Sequence, residues 1–493
     1  MKGARKGYIL AREREYKEYA MTAALERISA HFDQDILPVL AEYIRIPNQS
    51  PMFDSDWQAH GHMDRAMDLL ESWCRRQPIQ GITITRLALP ERTPLLFMEI
   101  AGSAPGTVLL YGHMDKQPEM VGWDADKGPW QPVRVGDKLY GRGGADDGYA
   151  VFAALTAIAE LQAEGRKHAR CVVIIEGSEE SGSPDLPAYL THFKSQIGTP
   201  DLVICLDSGC GNYDQLWCTT SLRGTVGGLL TISVLTQGVH SGLGSGIVPS
   251  CSQVLRQILD RIENSETGMV LLPELHVNVP PERLDQAQAA ADVLGEAVYH
   301  SLPFQPGVRP VTQDITTLLV NRSWRPQLSV TGAEGLPPLA KAGNVTLPSL
   351  SVRLSMRIPP LCHPERANQA LTHALCDNPP FGAHVSFVPE LPAEGWNAPT
   401  MAPWLLAAAE AASHTYFGRA LAFIGEGGTI PFMAMLGNQY PKAQFFITGV
   451  LGPQSNAHGP NEFLHIPTVK RITACVMELL GAHALSTIIV PTL

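Results

Sequence analysis

Thr107–Pro118 reads "TVLLYGHMDKQP", an apolar run that stops at a histidine and an aspartate two residues apart. The run has no polar alternation, so it suits a strand covered on both faces, as in a parallel sheet between helices. In open α/β sheets, ligands bind just beyond the carboxyl ends of strands. His113 and Asp115 therefore stand where chemistry is expected. The same tetrapeptide, GHMD, also occupies Gly61–Asp64 and continues there as "RAMDLLESWCRR". Met63, Met67 and Leu70 fall at helical spacing, so His62 and Asp64 read as the solvated start of a helix.

Working outward, further apolar runs suited to buried strands are Cys171–Glu176, Leu202–Leu206 and Gln444–Val450. Helical patterns accompany them at Tyr149–Glu164 and Trp404–Tyr416. Strands alternating with helices predict an α/β body with a mostly parallel sheet. From about Leu222 the pattern changes. "TVGGLLTISVL", "SLSVRLSMRIPP" and "AHVSFVP" read as strands, while "PSCSQVLRQILDRIE" and "PERANQALTHALC" read as helices. That set predicts a smaller α+β domain inserted into the larger one. The expected division is an N-terminal extension over 1–20, a catalytic domain over 21–221 and 397–493, and the insert over 222–396. The Pro-rich Leu302–Pro310 reads as a loop.

A chain of 493 residues exceeds what one core organises, and 45% hydrophobic with 17% charged residues describes a globular protein. A net charge of −11 without a basic stripe argues against nucleic acid. No run of about 18 apolar residues suggests a membrane span. The nine cysteines form no CxxC pair, and Cys171, Cys205 and Cys475 sit in apolar runs. Reduced thiols in a cytoplasmic protein are expected. The first twenty residues are basic and then mixed in charge, with no apolar signal region, and Met21 opens the first helical pattern.

The strand-end test finds more polar groups. "CVVIIE" leads into "GSEES" with Glu179 and Glu180; "DLVICL" leads to Asp207; "QFFITGV" leads into "LGPQSNAHGPNE" with His458. In "DKLYGRGGADDGYAVFAAL", Asp146 and Asp147 open a helix. One loop aspartate is an ordinary helix cap; five such ends facing one crevice exceed what capping explains. "GRGGADDG" is not a dinucleotide fingerprint, because Asp146 stands where the third glycine belongs and would repel pyrophosphate. No GxSxG elbow occurs. An acidic crevice fits cations.

In this order, "YGHMDKQP", "LYGRGGADDG", "EGSEESGS", "CLDSG", "GVHSGLGSG" and "NAHGPNE" resemble the dinuclear zinc metallopeptidases. That family includes carnosine dipeptidases, carboxypeptidase G, succinyl-diaminopimelate desuccinylase and aminoacylases. The resemblance runs from about residue 25 onward and is nearest the carnosinase-like dipeptidases, through "EGSEESGS" and "GEGGTIP". It implies that the insert is a lid or dimerisation domain. It also implies one metal on His113, Asp146 and Asp207 and a second on Asp146, Glu180 and His458. Mixed imidazole and carboxylate donors suit zinc first, then manganese or cobalt. Three ligand carboxylates and two dications leave one net positive charge, which a bridging hydroxide can neutralise. Relatives often carry Lys-Gly where this chain has Gly148–Tyr149.

By the same resemblance, Asp115 orients His113, and Glu179 is the general base. His240, often from a partner subunit, stabilises the oxyanion. Arg357 can clamp a substrate carboxylate, Asn344 and Thr429 add hydrogen bonds, and Glu426 can meet a free amine. The implied protein is a homodimeric hydrolase of an amide bond in a dipeptide or short peptide, acting on neither nucleic acid nor membrane. The rivals are an N-acyl- or N-carbamoyl-amino-acid amidohydrolase, which has no need of Glu426, and a metal-binding scaffold, which has no need of Glu179.

Overall fold

The computed structural model describes residues 23–489; the expectation for 1–20 lies outside them. The run at Thr107 is the core of the strand Ala104–His113, which lies in the middle of a large sheet. Ala169–Glu176 pairs with it in parallel on one side and Leu202–Cys205 on the other, and Gln444–Ile447 continues the parallel ladder. These are the four runs read from the sequence as buried strands. The hairpin Ile82–Leu87 and Leu95–Ile100 extends one edge antiparallel. Trp217–Leu222, Ala422–Glu426 and Trp396–Asn397 extend the other.

Alternate residues of one strand feed different cores. Val108 and Leu110 pack under the helices Ala150–Ala163, Pro403–Phe417 and Ile466–Ile489, whereas Leu109 and Tyr111 pack under Leu186–His192 and Pro431–Gln439. Both faces of the sheet are therefore dry, which explains strands that are apolar throughout. Helices on both faces leave the strand ends as the open edge.

A second sheet has the order Gln327–Glu334, Ser349–Ile358, Gly224–Ser233, His384–Pro389, antiparallel throughout. The helices Cys251–Leu259 and Pro364–Cys376 cover one face of it. Gln327–Glu334 was not anticipated from the sequence. Its residues are almost all exposed, so it carries little apolar patterning. Among the helices that went unread are Pro281–Leu294, Ala297–His300 and Ile315–Trp324. They bury Ala290, Ala291 and Leu319 against Trp217, Ala422 and Ile424, at the edge of the large sheet. The stretch Leu302–Pro310 between them is a loop, as read. All nine cysteines are free thiols, and eight are buried. Among the described residues no helix is long and apolar enough to cross a membrane.

Candidate metal centre

His113 is the last residue of its strand. Gly112 before it is required: a Cβ there would lie 2.6 Å from Ala150 Cβ and 2.8 Å from Asp147 Oδ2. Without one, the turn carrying Asp146 and Asp147 docks directly on the strand end. The strand Ala169–Glu176 stops just before Glu179 and Glu180, and Leu202–Cys205 just before Asp207. His458 sits in the loop between Gln444–Ile447 and Phe463–His465, at φ 64°. A left-handed backbone costs a non-glycine residue about 1 kcal/mol, strain of the kind that gathers at functional sites.

Two donor sets result. His113 Nε2 lies 3.4 Å from Asp146 Oδ1 and 3.7 Å from Asp207 Oδ1. His458 Nε2 lies 3.0 Å from Asp146 Oδ2 and 3.4 Å from Glu180 Oε2. The ligand atoms of His113, Asp146 and Asp207 lie within 4.8 Å of one another, as do those of Asp146, Glu180 and His458. Asp146 belongs to both sets.

The residues fit divalent cations. His113 Nδ1 lies 3.1 Å from the Asp115 carbonyl oxygen and 3.4 Å from Asp115 Oδ1. A proton on Nδ1 leaves Nε2 as a lone pair, and Nε2 is buried without a hydrogen-bond partner. A lone pair aimed at carboxylates is unfavourable unless a cation lies between them. The charges agree. Burial raises the carboxyls of Glu179 and Asp207, with Asp207 repelling Glu179 further. Burial, then Asp146, lifts Glu180 to about 8. Burial would also raise Asp146, but the adjacent imidazoles of His113 and His458 outweigh it and hold that group low. Burial depresses His458, yet Asp146 and Glu180 carry it to about 9. Buried carboxylates crowded around two imidazoles make a cation-seeking arrangement.

Asp115 has a second task that its spacing did not reveal. Its Oδ1 accepts from Glu179 N–H at 3.0 Å and its Oδ2 from Glu180 N–H at 2.9 Å, pinning the acidic turn against the histidine strand. Gln117, in the quoted opening stretch but not singled out, donates to Glu180 Oε2 at 2.6 Å. A buried pair, Arg142–Glu462, was also missed. Arg142 donates to Glu462 Oε2 at 2.6 Å and to the Gly459 carbonyl at 2.8 Å, while Glu462 Oε1 accepts from Gly143 N–H. It ties the loop before Asp146 to the loop bearing His458. The Gly148–Tyr149 departure is accommodated inside: the Tyr149 hydroxyl donates to the Leu206 carbonyl, next to Asp207.

One cleft of about 240 Å³ is lined by Asp146, Glu179, Asp207, His458, Glu426 and Thr429 among others. Arg357 Nη1 donates to Thr429 Oγ1 at 2.9 Å and to Thr225 Oγ1 at 3.0 Å, which brings it to the rim. His240 and Asn344 are not among the described residues lining the cleft. His240 lies on a two-stranded ladder, Val239–His240 against Val345–Thr346, where it is exposed and its Nδ1 accepts from Gly242 N–H; Asn344 just precedes that ladder, its carbonyl accepting from Ser241 N–H. The first GHMD copy stands apart, at the start of the helix His62–Arg76, with Asp64 bound by Arg86.

The profile of Peptidase family M20/M25/M40 matches residues 109–482. The chain is 25% identical to cysteinylglycine-S-conjugate dipeptidase of Corynebacterium striatum over 394 residues, 78% of this chain and 82% of that protein. It is 28% identical to human Beta-Ala-His dipeptidase over 489 residues, 94% of each. The fold is similar to that of human carnosine dipeptidase 1, with a TM-score of 0.76 and 22% identity over 94% of this chain and 99% of the other.

Proposed function

The chain belongs to peptidase family M20/M25/M40, and from that membership we propose that it is a dinuclear-metal dipeptidase. One divalent ion would be held by His113, Asp146 and Asp207, and the other by Asp146, Glu180 and His458. Zinc is the ion proposed, with manganese or cobalt next, because borderline ions take imidazole and carboxylate together. When bound, such a pair supplies Lewis acidity toward the scissile carbonyl and lowers the pKa of water. The observation that carries this reading is the sharing of Asp146 between two donor sets, with a non-ligating carboxylate in the same cleft.

That carboxylate is Glu179. Its backbone is fixed by Asp115, and burial gives it a raised proton affinity. It takes a proton from the attacking water, holds it, and delivers it to the departing amine. Arg357, with one guanidinium nitrogen already directed by Thr225 and Thr429, keeps further donors for the substrate's terminal carboxylate. Glu426 meets the free amine, and Thr429 adds a hydrogen bond. His240, supported by Asn344, serves the oxyanion in the cleft of a second subunit, so the active species is a homodimer. The nine free thiols agree with a reducing, cytoplasmic setting.

The relatives named dipeptidases support dipeptides over acylated amino acids, and so does Glu426, which an N-acyl substrate would leave without a partner. The test is a panel of dipeptides set beside N-acetyl and N-carbamoyl amino acids, assayed on metal-loaded protein. Turnover of free-amine dipeptides at least about a hundredfold faster is expected. Faster turnover of the acylated compounds would replace this reading with an amidohydrolase.

A further inference from the structure

Beside the cleft lies a second recess of about 250 Å³. Glu426 and Leu451 line both, so the two spaces share a wall. The outer walls of the recess come from the helices that the sequence did not announce. Leu294, Val298 and Leu302 supply apolar surface, and Arg322, on the helix Ile315–Trp324, supplies a guanidinium.

Arg322 is poorly provided for by the protein itself. Its Nε and Nη2 are buried and make no hydrogen bond. No carboxylate among the described residues lies within ion-pair distance of it. Buried guanidinium N–H groups without acceptors are costly and rarely retained without a use. Glu426 is similar. Its Oε1 lies so close to Gly209 that a Cβ there would approach to 2.7 Å, which seats it beside the loop of Asp207. Burial raises its carboxyl and the Arg322 charge partly opposes this, so the two groups sense one another without joining. An acid at the shared wall and a base in the recess are thus left for a ligand to bridge.

We propose that this recess receives the N-terminal residue of the substrate, and that Arg322 selects a residue bearing a carboxylate in addition to its ammonium group. The ammonium meets Glu426, the carboxylate meets Arg322, and the side-chain methylenes lie on Leu302 and Val298. Two substrate types share this chemistry: α-linked aspartyl or glutamyl dipeptides, and dipeptides joined through the side-chain carboxyl. The inference rests on the dipeptidase reading above for the location of the scissile bond.

The test compares Glu-Ala, its neutral isostere Gln-Ala, and γ-Glu-Ala on metal-loaded wild type and on Arg322→Gln. Wild type should prefer one of the acidic substrates over Gln-Ala by about ten- to a hundredfold in kcat/KM, as one charge-assisted contact provides. Which of the two wins identifies the linkage. In Arg322→Gln the ratio should fall toward one, because the acidic substrates lose a charge-assisted contact whereas Gln-Ala loses only a neutral hydrogen bond to its amide oxygen. A wild-type ratio near one, or a ratio unchanged in the variant, overturns the proposal. If no dipeptide is cleaved, the dipeptidase reading fails by itself. Calorimetric titration then decides the recess: free glutamate binding to wild type but not to Arg322→Gln supports it, and equal binding of glutamate and glutamine rejects it.

Discussion

Asp146 offers its two oxygens to two different imidazoles, at 3.4 and 3.0 Å, and the rest of the site is arranged around it. Glu179 stands beside Glu180, a proposed ligand, yet belongs to neither donor set. Glu179→Ala should therefore keep about two metal ions per chain while turnover falls at least about a hundredfold, the scale of a lost general base. Metal analysis together with a rate assay checks this, and metal loss in the variant would make Glu179 a ligand instead. His113, Glu180 and Asp207 were legible as candidates because each follows an apolar run, and Asp146 because it opens an apolar helix, where a polar side chain has few structural reasons to stand. Gln117 and the Arg142–Glu462 pair were not. Their partners lie 63 and 320 residues away, and nothing local marks such a contact. Arg322 sits within an ordinary helix and acquires meaning only from what surrounds it.

At the scale of elements, the four central parallel strands were readable because burial on both faces demands continuous apolar sequence. The edge strands were harder. Ile82–Leu87 is only half-buried, and Trp217–Leu222, "WCTTSL", buries threonine and serine inside the sheet. Pro281–Leu294 buries Ala290, Ala291 and Arg283 rather than large apolar side chains, so its apolar stripe is faint. The ligand-bearing loops depend on a link between elements. Arg142 and Glu462 are 1% and 0% exposed and join the turn before Asp146 to the His458 loop. Removing one partner strands a buried charge, at a cost of about 3–5 kcal/mol. Arg142→Met should lower the denaturant midpoint of the large domain accordingly and weaken metal binding, read by chelator competition. Unchanged metal affinity would mean that the His458 loop holds its shape unaided.

At the scale of the molecule, His240 is exposed and outside the cleft lining of its own chain, which suits the proposed service to a second subunit. Mixing Glu179→Ala chains with His240→Ala chains, each inactive alone, should restore about a quarter of wild-type activity through heterodimers with one intact site. A mixture that stays inactive while heterodimers form would assign His240 to its own chain or to no catalytic role. The proposed centre binds two ions through a shared aspartate, and the duplicated GHMD sequence supplies a control. The most direct measurement is the metal content, by mass spectrometry, of wild type, Asp146→Ala and His62→Ala after loading and desalting. Wild type and His62→Ala should each carry about two ions per chain, while Asp146→Ala should fall below about one and lose dipeptide turnover. Two ions retained by Asp146→Ala, or ions lost from His62→Ala, would contradict the account.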